Sequence, residues 1–284
     1  MSIKTRVAII IPEPDLAANT IWNELYNQSY FKETNQQFDD KPVFQHTKYL
    51  NDIKILHSKK DGVASNHLDS EIEAELYIFA SRHRAASGTP ALLIHPTGNW
   101  NQITLEGREK ELSYTSAFAL KHGLKNLVLK QEEFGLEDFK VDLEVTHHGP
   151  TELKTPLVFM ELGSSEEFWV NSKAALAVGQ AIMETAEEFI KRSKFKGISY
   201  IGFGGNHYAY RFRKHVVANE EVYVSHIAAK HTLDNLTDAI ILEAFEKTIE
   251  KPKGALIDKK GAKSEQRKKI IEIVESSGKE CIQI

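Results

Sequence analysis

Short apolar runs rich in β-branched residues recur along this chain, and they alternate with segments of helical spacing. Residues 6–11 (RVAIII), closed by Pro12 and Pro14, predict a buried first strand. Residues 53–57, 75–80, 91–95 (ALLIH), 126–130, 141–146, 157–161 (LVFME) and 197–203 predict further strands. Residues 222–225 and 227–229 add two short apolar runs that flank His226. Between them, residues 16–26, 112–123, 172–190 and 237–249 carry apolar side chains at helical spacing. Residues 31–44 read as polar and irregular, and residues 81–88 (SRHRAASG) as a loop or helix start. Such alternation predicts an α/β fold with a mainly parallel or mixed central sheet flanked by helices. Pro252 and Gly254 suggest a boundary, giving an α/β catalytic domain over 1–250 and a small basic extension over 251–284, with a helix at 264–274, packed on the core.

Bulk properties narrow the chemistry. At 284 residues the chain has length for one large domain or two modest ones, and its formal net charge of -4 gives no global field to attract a polyanion. A nucleic-acid partner therefore requires a local basic patch. The single cysteine, Cys281, rules out an internal disulfide framework, so a metal site must draw on His, Asp or Glu. The N-terminal apolar run is too short for a membrane span. These features predict a cytoplasmic protein with no membrane partner, and a monomer.

The placement of the histidines carries the functional signal. Of twelve, His95 follows ALLI, His147 and His148 follow DLEVT, and His207 follows YIGFGG. His83 and Asn99 lie in polar stretches that follow candidate strands. In open α/β sheets such strand ends converge on one cleft. Adjacent residues on an extended strand face opposite ways, so His147 and His148 serve one site only if the chain turns at Gly149–Pro150. Otherwise one is buried and the other exposed. Glu161 closes an apolar run, where a lone carboxylate is costly to bury. It reads as a ligand, as a general base, or as the cap of a helix beyond Gly163. Gly204 and Gly205 offer amides for an oxyanion, or simply a tight turn. Tyr208, Tyr210, Arg211 and Arg213 form an aromatic and basic run suited to stacking and phosphate pairing, or to a solvated strand. The basic excess beyond residue 251 presents the same choice between phosphate contact and a solvated helix. His226, among apolar neighbours, reads as structural. The helical HExxH motif of metalloproteases does not occur.

Five ordered blocks together carry more information than any one histidine. SRH (81–83), HPTGNW (95–100), THHGPTEL (146–153), MELGSSEEFW (160–169) and GFGGNHY (202–208) resemble the signature blocks of the archaeal and plant type of D-aminoacyl-tRNA deacylase. The resemblance extends over essentially the whole chain. It implies a phosphorylase/hydrolase-like α/β fold and hydrolysis of the ester between a D-amino acid and the terminal ribose of tRNA. That role is one of translation quality control. It also implies zinc, with up to two ions per subunit. On that basis His147, His148 and His95 are expected as metal ligands. Glu161, His207, His83 and the Gly204 and Gly205 amides are expected around the reaction centre, and Asn99, Tyr208, Arg211 and Arg213 at the substrate. A zinc metallopeptidase or amidohydrolase, and a non-catalytic RNA-binding protein, remain the competing classes.

Overall fold

The computed structural model describes residues 2–192 and 195–284. Its main sheet contains β1 (Val7–Pro12), β2 (Phe31–Phe38), β3 (Lys41–His46), β4 (Ile53–Ser58), β5 (Leu76–Arg84), β6 (Ala91–His95), β7 (Lys140–Leu143) and β8 (Leu157–Ser164). The order across the sheet is β7-β6-β8-β5-β1-β4-β3-β2. Pairing is parallel except at β6/β8, β3/β4 and β2/β3. A second sheet, entirely parallel, contains β9 (Ile198–Phe203), β10 (Val222–Ala228), β11 (Gly254–Ile257) and β12 (Glu280–Gln283) in the order β10-β9-β11-β12. The expected mixed α/β architecture is thus present.

Helices α1 (Leu16–Asn27), α2 (Ala117–Glu133) and α3 (Ser172–Lys191) cover one face of the main sheet. Ile21, Leu25, Leu120, Leu124, Val178 and Ile182 are fully buried there, or nearly so, against the β-branched strands. The remaining long helices are α4 (Tyr210–Ala218), α5 (Asp238–Glu246) and α6 (Ser264–Ser276). The opposite sheet face holds a second core that includes Tyr77, Phe79 and Phe159. Phe79 and Phe159 stack at 4.5 Å between ring centroids, and His95 continues the stack 5.5 Å from Phe159. No helix among the described residues is long and apolar enough to cross a membrane.

Several local expectations are corrected. Residues 31–44 form a β-hairpin paired to β4, with Phe38 and Val43 packed into one core and Phe31 and Phe44 against Trp22 in the other, while the residues between stay polar. Residues 126–130 are the second half of α2, not a strand. Leu120, Leu124 and Leu127 are buried at helical spacing while Leu129 is exposed. That helix begins at Ala117, where the Ser116 hydroxyl accepts from the Ala119 amide, so residues 112–116 are not helical. Residues 81–84 continue β5 as strand instead of turning. Val222–Ala228 is one strand, with His226 inside it. Apart from these corrections, residues 251–284 supply β11 and β12 of the second sheet.

Asp15 caps α1 through the Ala18 amide and also accepts from the Arg82 amide, which ties the helix to β5. Burial pushes its pKa up to about 6, against the pull of those amides and of the Arg82 guanidinium. The folded state therefore holds this proton more tightly than the unfolded chain does. Its contribution to stability is largest below the unfolded value of 3.8 and is lost as pH rises through about 6. The change amounts to about 3 kcal/mol. Asp15→Asn keeps the cap acceptor, so it should flatten the stability change between pH 4 and pH 7. Urea midpoints at the two pH values measure this, and equal slopes for the wild type and the variant would contradict it.

Candidate metal centre and adjoining cleft

Strand register explains why distant residues meet. Glu161 lies opposite Ser81 on β5 and Leu93 on β6, while Phe159 pairs with His95 and Gly163 with His83. Because side chains alternate, His83, His95 and Glu161 project from one face of the sheet. The reversal at β6/β8 matters, because it sets the end of β6 beside the middle of β8. Glu161 is therefore within a strand and caps no helix. Its Oε2 lies 3.3 Å from His83 Nδ1 and its Oε1 3.3 Å from His95 Nε2. Burial pushes the Glu161 carboxyl up, but His95 and His83 outweigh it and hold the group well below the usual range. Burial lowers the His83 and His95 imidazoles, yet Glu161 and Glu144 raise both overall.

The second group of side chains comes from residues 144–148. This segment is stitched between the two sheets: the Glu144 amide donates to Ile94, Val145 to His207 and Thr146 to Ile227. His148 adopts φ 41°, so the chain turns at this residue and both imidazoles reach His95. Ring centroids lie 4.2 Å apart for His95 and His147, and 4.9 Å apart for His95 and His148. The open alternative of one buried and one outward histidine is thereby removed.

Each of these three imidazoles is anchored in the same way. His95 Nδ1 contacts Pro96 O at 3.1 Å, His147 Nδ1 contacts Val145 O at 2.8 Å, and His148 Nδ1 contacts Gly149 O at 2.6 Å. A backbone carbonyl only accepts, so Nδ1 carries the proton in each. In His147 and His148 Nε2 then keeps its lone pair, whereas His95 Nε2 faces Glu161 Oε1 at 3.3 Å and that carboxylate favours a proton there. Burial, reinforced by the neighbouring histidines, lowers His147 far below its ordinary value and takes His148 to about 4. Neutral His147 and His148, each tethered through Nδ1, suit a transition metal, and His95 can join them if a cation displaces its Nε2 proton. Ligand atoms of His95, His147 and His148 lie within 4.8 Å of one another. So do those of Glu144, His147 and His207, and those of His83, Glu144 and Glu161.

Glu144 is absent from the residues expected on sequence grounds. It is fully buried, and neither carboxylate oxygen makes a hydrogen bond to a described residue. Yet Oε1 lies 2.8 Å from His207 Nε2 and 3.6 Å from His83 Nδ1. The ion-pair distance to His207 is short, while the directions do not suit a hydrogen bond. A buried carboxylate without hydrogen bonds, its Oε1 facing two imidazole nitrogens, is a donor set for a cation. The sequence did contain a signal. Glu144 stands in an apolar strand three residues before two histidines.

Other expected residues lie elsewhere or act differently. The Gly204 and Gly205 amides donate to Ala228 O and Gly261 O, so neither is free to stabilise an oxyanion; their φ values of 107° and 80° serve the turn. Asn99 lines the adjoining cleft, but its carboxamide holds the 104–108 loop through Thr104, Glu106 and Arg108. Arg213 lines none of the clefts described below; its charge acts on Asp142, and its Nε is buried without a described partner. Tyr208 does reach the centre, with its hydroxyl 3.2 Å from His83 Nε2. His226 is a buried structural residue between the Thr146 hydroxyl and Ser113 O, and burial takes it down to about 3. A cleft of about 740 Å³ opens beside His147 and His207, with Trp100, His231 and Asn235 among its walls.

Residues 70–282 match the family model described as D-aminoacyl-tRNA deacylase. The chain belongs to this family. A D-aminoacyl-tRNA deacylase of Thermococcus onnurineus is 35% identical over 280 residues, covering 96% of this chain and 98% of the relative. One from Methanosarcina barkeri is 35% identical over 279 residues, covering 96% and 88%. A crystal structure of a conserved protein of unknown function superposes with a TM-score of 0.86 at 25% identity, covering 100% of this chain and 96% of that one. The seven clustered side chains all fall in this family member's blocks or, for Glu144, just ahead of one.

Close packing around His83 yields a prediction. A Cβ on Gly163 would lie 2.6 Å from His83 Cβ and 2.8 Å from its carbonyl oxygen. Gly163→Ala must therefore push His83 away from Glu161. Overpacking of this kind costs about 1–3 kcal/mol. Turnover should fall roughly 10–100-fold as the group is misplaced. Unchanged turnover in a folded variant would show that His83 needs no such position.

Proposed function

We propose that this protein hydrolyses the ester joining a D-amino acid to the terminal ribose of tRNA, at a zinc centre held by His95, His147 and His148 with Glu144 and His207 alongside. The carrying observation is the set of three imidazoles anchored through Nδ1 whose ligand atoms lie within 4.8 Å of one another. Zinc is favoured over a hard cation by this nitrogen-rich donor set. Overlap of the three ligand groups through His147 and Glu144 supports room for two ions. When bound, zinc supplies Lewis acidity that acidifies water and polarises a carbonyl.

The chain's own residues do the rest. Glu161 orients His83 and His95 from below. His207, half-exposed and lining the cleft, is placed to pass a proton to the leaving ribose oxygen. Tyr208 flanks that path with its hydroxyl on His83. The test compares matched D- and L-aminoacyl-tRNAs with metal content measured on the same preparation. Chelated, verified metal-free protein should lose hydrolysis of the D-ester and regain it with zinc. Full activity without metal would reject the zinc centre. Cleavage of small amides with no action on tRNA esters would favour a peptidase, and RNA binding without turnover a non-catalytic role.

A further inference from the structure

Two shallower clefts continue from the main one around the 204–211 loop. One, of about 280 Å³, shares His207 and His231 with the main cleft and adds Gly205, Asn206, Lys230, Asp234 and Lys263. The other, of about 380 Å³, shares Gly205, Asn206 and Lys230 with it and adds Tyr208, Tyr210, Arg211, Asp258 and Lys260. Shared wall residues set the three side by side along a surface leading away from the histidine cluster.

We propose that this surface is a groove for the single-stranded 3′ end of the tRNA, with Lys230, Lys260 and Lys263 on its phosphates and Tyr210 as a stacking platform for a base. The proposal rests on the tRNA-ester reading above. The local charge favours it: Arg211, Lys230, Lys260 and Lys263 outnumber Asp234 and Asp258 in a chain whose formal net charge is -4. Asp258 is buried and turned inward, with Oδ1 accepting from the Lys260 and Gly261 amides and pairing with Arg211 at 3.4 Å. Lys263 pairs with exposed Asp234 at 3.3 Å, an exchange a phosphate can win. Lys230 and Lys260 are exposed and make no ion pair among the described residues.

The aromatic component sits at the right place. Tyr210 is 58% exposed, and Tyr208 39%, although both are large side chains with apolar rings. Tyr208 is committed to His83 through its hydroxyl. Tyr210 presents its ring to the groove without such a commitment among the described residues. Unpaired lysines beside an exposed ring suit a polynucleotide strand, which offers phosphates and π-faces in alternation. The main cleft, beside His147 and His207, would then hold the terminal nucleoside with its ester.

The test uses the full-length protein and D-aminoacyl-tRNA at several salt concentrations. Lys230→Ala/Lys260→Ala/Lys263→Ala should raise KM about 10-fold or more near physiological salt, and should reduce the slope of log affinity against log salt by about 2. Tyr210→Ala should raise KM about 10-fold, while Tyr210→Phe, which keeps the ring, should restore it. A control of equal charge, Lys4→Ala/Lys32→Ala/Lys48→Ala, lines none of the three clefts and should leave KM near wild type. Thermal melts establish that each variant is folded. Wild-type KM and salt slope in the groove variants, or equal losses in the control, would overturn the groove. Failure of the wild type itself to cleave D-aminoacyl-tRNA would instead sink the reading on which it rests.

Discussion

Replacing His147 with alanine should reduce D-aminoacyl-tRNA hydrolysis on the order of 1,000-fold, above the roughly 10–100-fold loss that removing a supporting partner brings to a metal site. Among the clustered histidines His147 stands apart because it belongs to two of the three ligand groups, one with His95 and His148 and the other with Glu144 and His207. Its removal takes a nitrogen from both at once. The structural cost should be small by comparison. His147 is only partly buried by area, and the one hydrogen bond lost, to Val145 O, is worth about 1 kcal/mol. His226→Ala should show the reverse. That imidazole is wholly buried and bridges Thr146 to Ser113 O, so its loss should cost about 2–4 kcal/mol. Turnover per folded molecule should fall far less than for His147→Ala. Parallel thermal melts, single-turnover rates and zinc content separate the two. A His147→Ala protein that keeps its rate, or one that merely unfolds, would remove His147 from the centre.

The contrast between these two histidines also shows what a sequence discloses about such a site. Both follow short apolar runs, and only context distinguishes them. His147 precedes a second histidine and a Gly-Pro turn, whereas His226 continues into more apolar residues. Six of the seven clustered side chains were legible because each ends, or lies near the end of, a run that reads as strand. What the pattern did not disclose was direction. Antiparallel pairing of β6 with β8 brings His95 beside Glu161, and no local spacing encodes which way a strand runs. Residues 31–44 failed for a related reason. Their strands are held by backbone pairing at a sheet edge, so a polar face suffices and no apolar alternation appears. The 126–130 segment failed because a three-residue apolar run satisfies both periods, and α2 wins through Leu120, Leu124 and Leu127. The glycine amides illustrate a further limit. Gly204 and Gly205 stand beside the cleft, but whether an amide is free depends on its partners, here Ala228 and Gly261, which are far away in sequence.

Glu144 was overlooked because alternation sends Asp142, Glu144 and Thr146 to the polar face of a strand whose other face is Val141, Leu143 and Val145. Such a face ordinarily meets water. Here the 204–208 loop covers it: Glu144 bridges to Tyr208 and the Val145 amide donates to His207. The carboxylate is thereby sealed in without a hydrogen-bond donor among the described residues. That state is unfavourable for the metal-free fold, since a buried carboxylate without hydrogen-bond donors loses its hydration with only the nearby imidazoles to offset the loss. Glu144→Gln keeps the shape and removes the charge, and its new amide hydrogens face the His207 nitrogen 2.8 Å from the former Oε1. Metal-free Glu144→Gln should therefore be more stable than metal-free wild type, by about 1–3 kcal/mol. With zinc present the order should invert, because the wild type gains binding free energy that the variant largely forfeits. Turnover should fall at least about 100-fold, as expected when a carboxylate that sets the electrostatics of a centre is neutralised. Stability measured with and without zinc decides the matter. If the substitution destabilises the metal-free protein and leaves zinc affinity intact, Glu144 is a structural residue whose partners are waters. If the order inverts, the cost of burying this carboxylate is retained because it holds the metal.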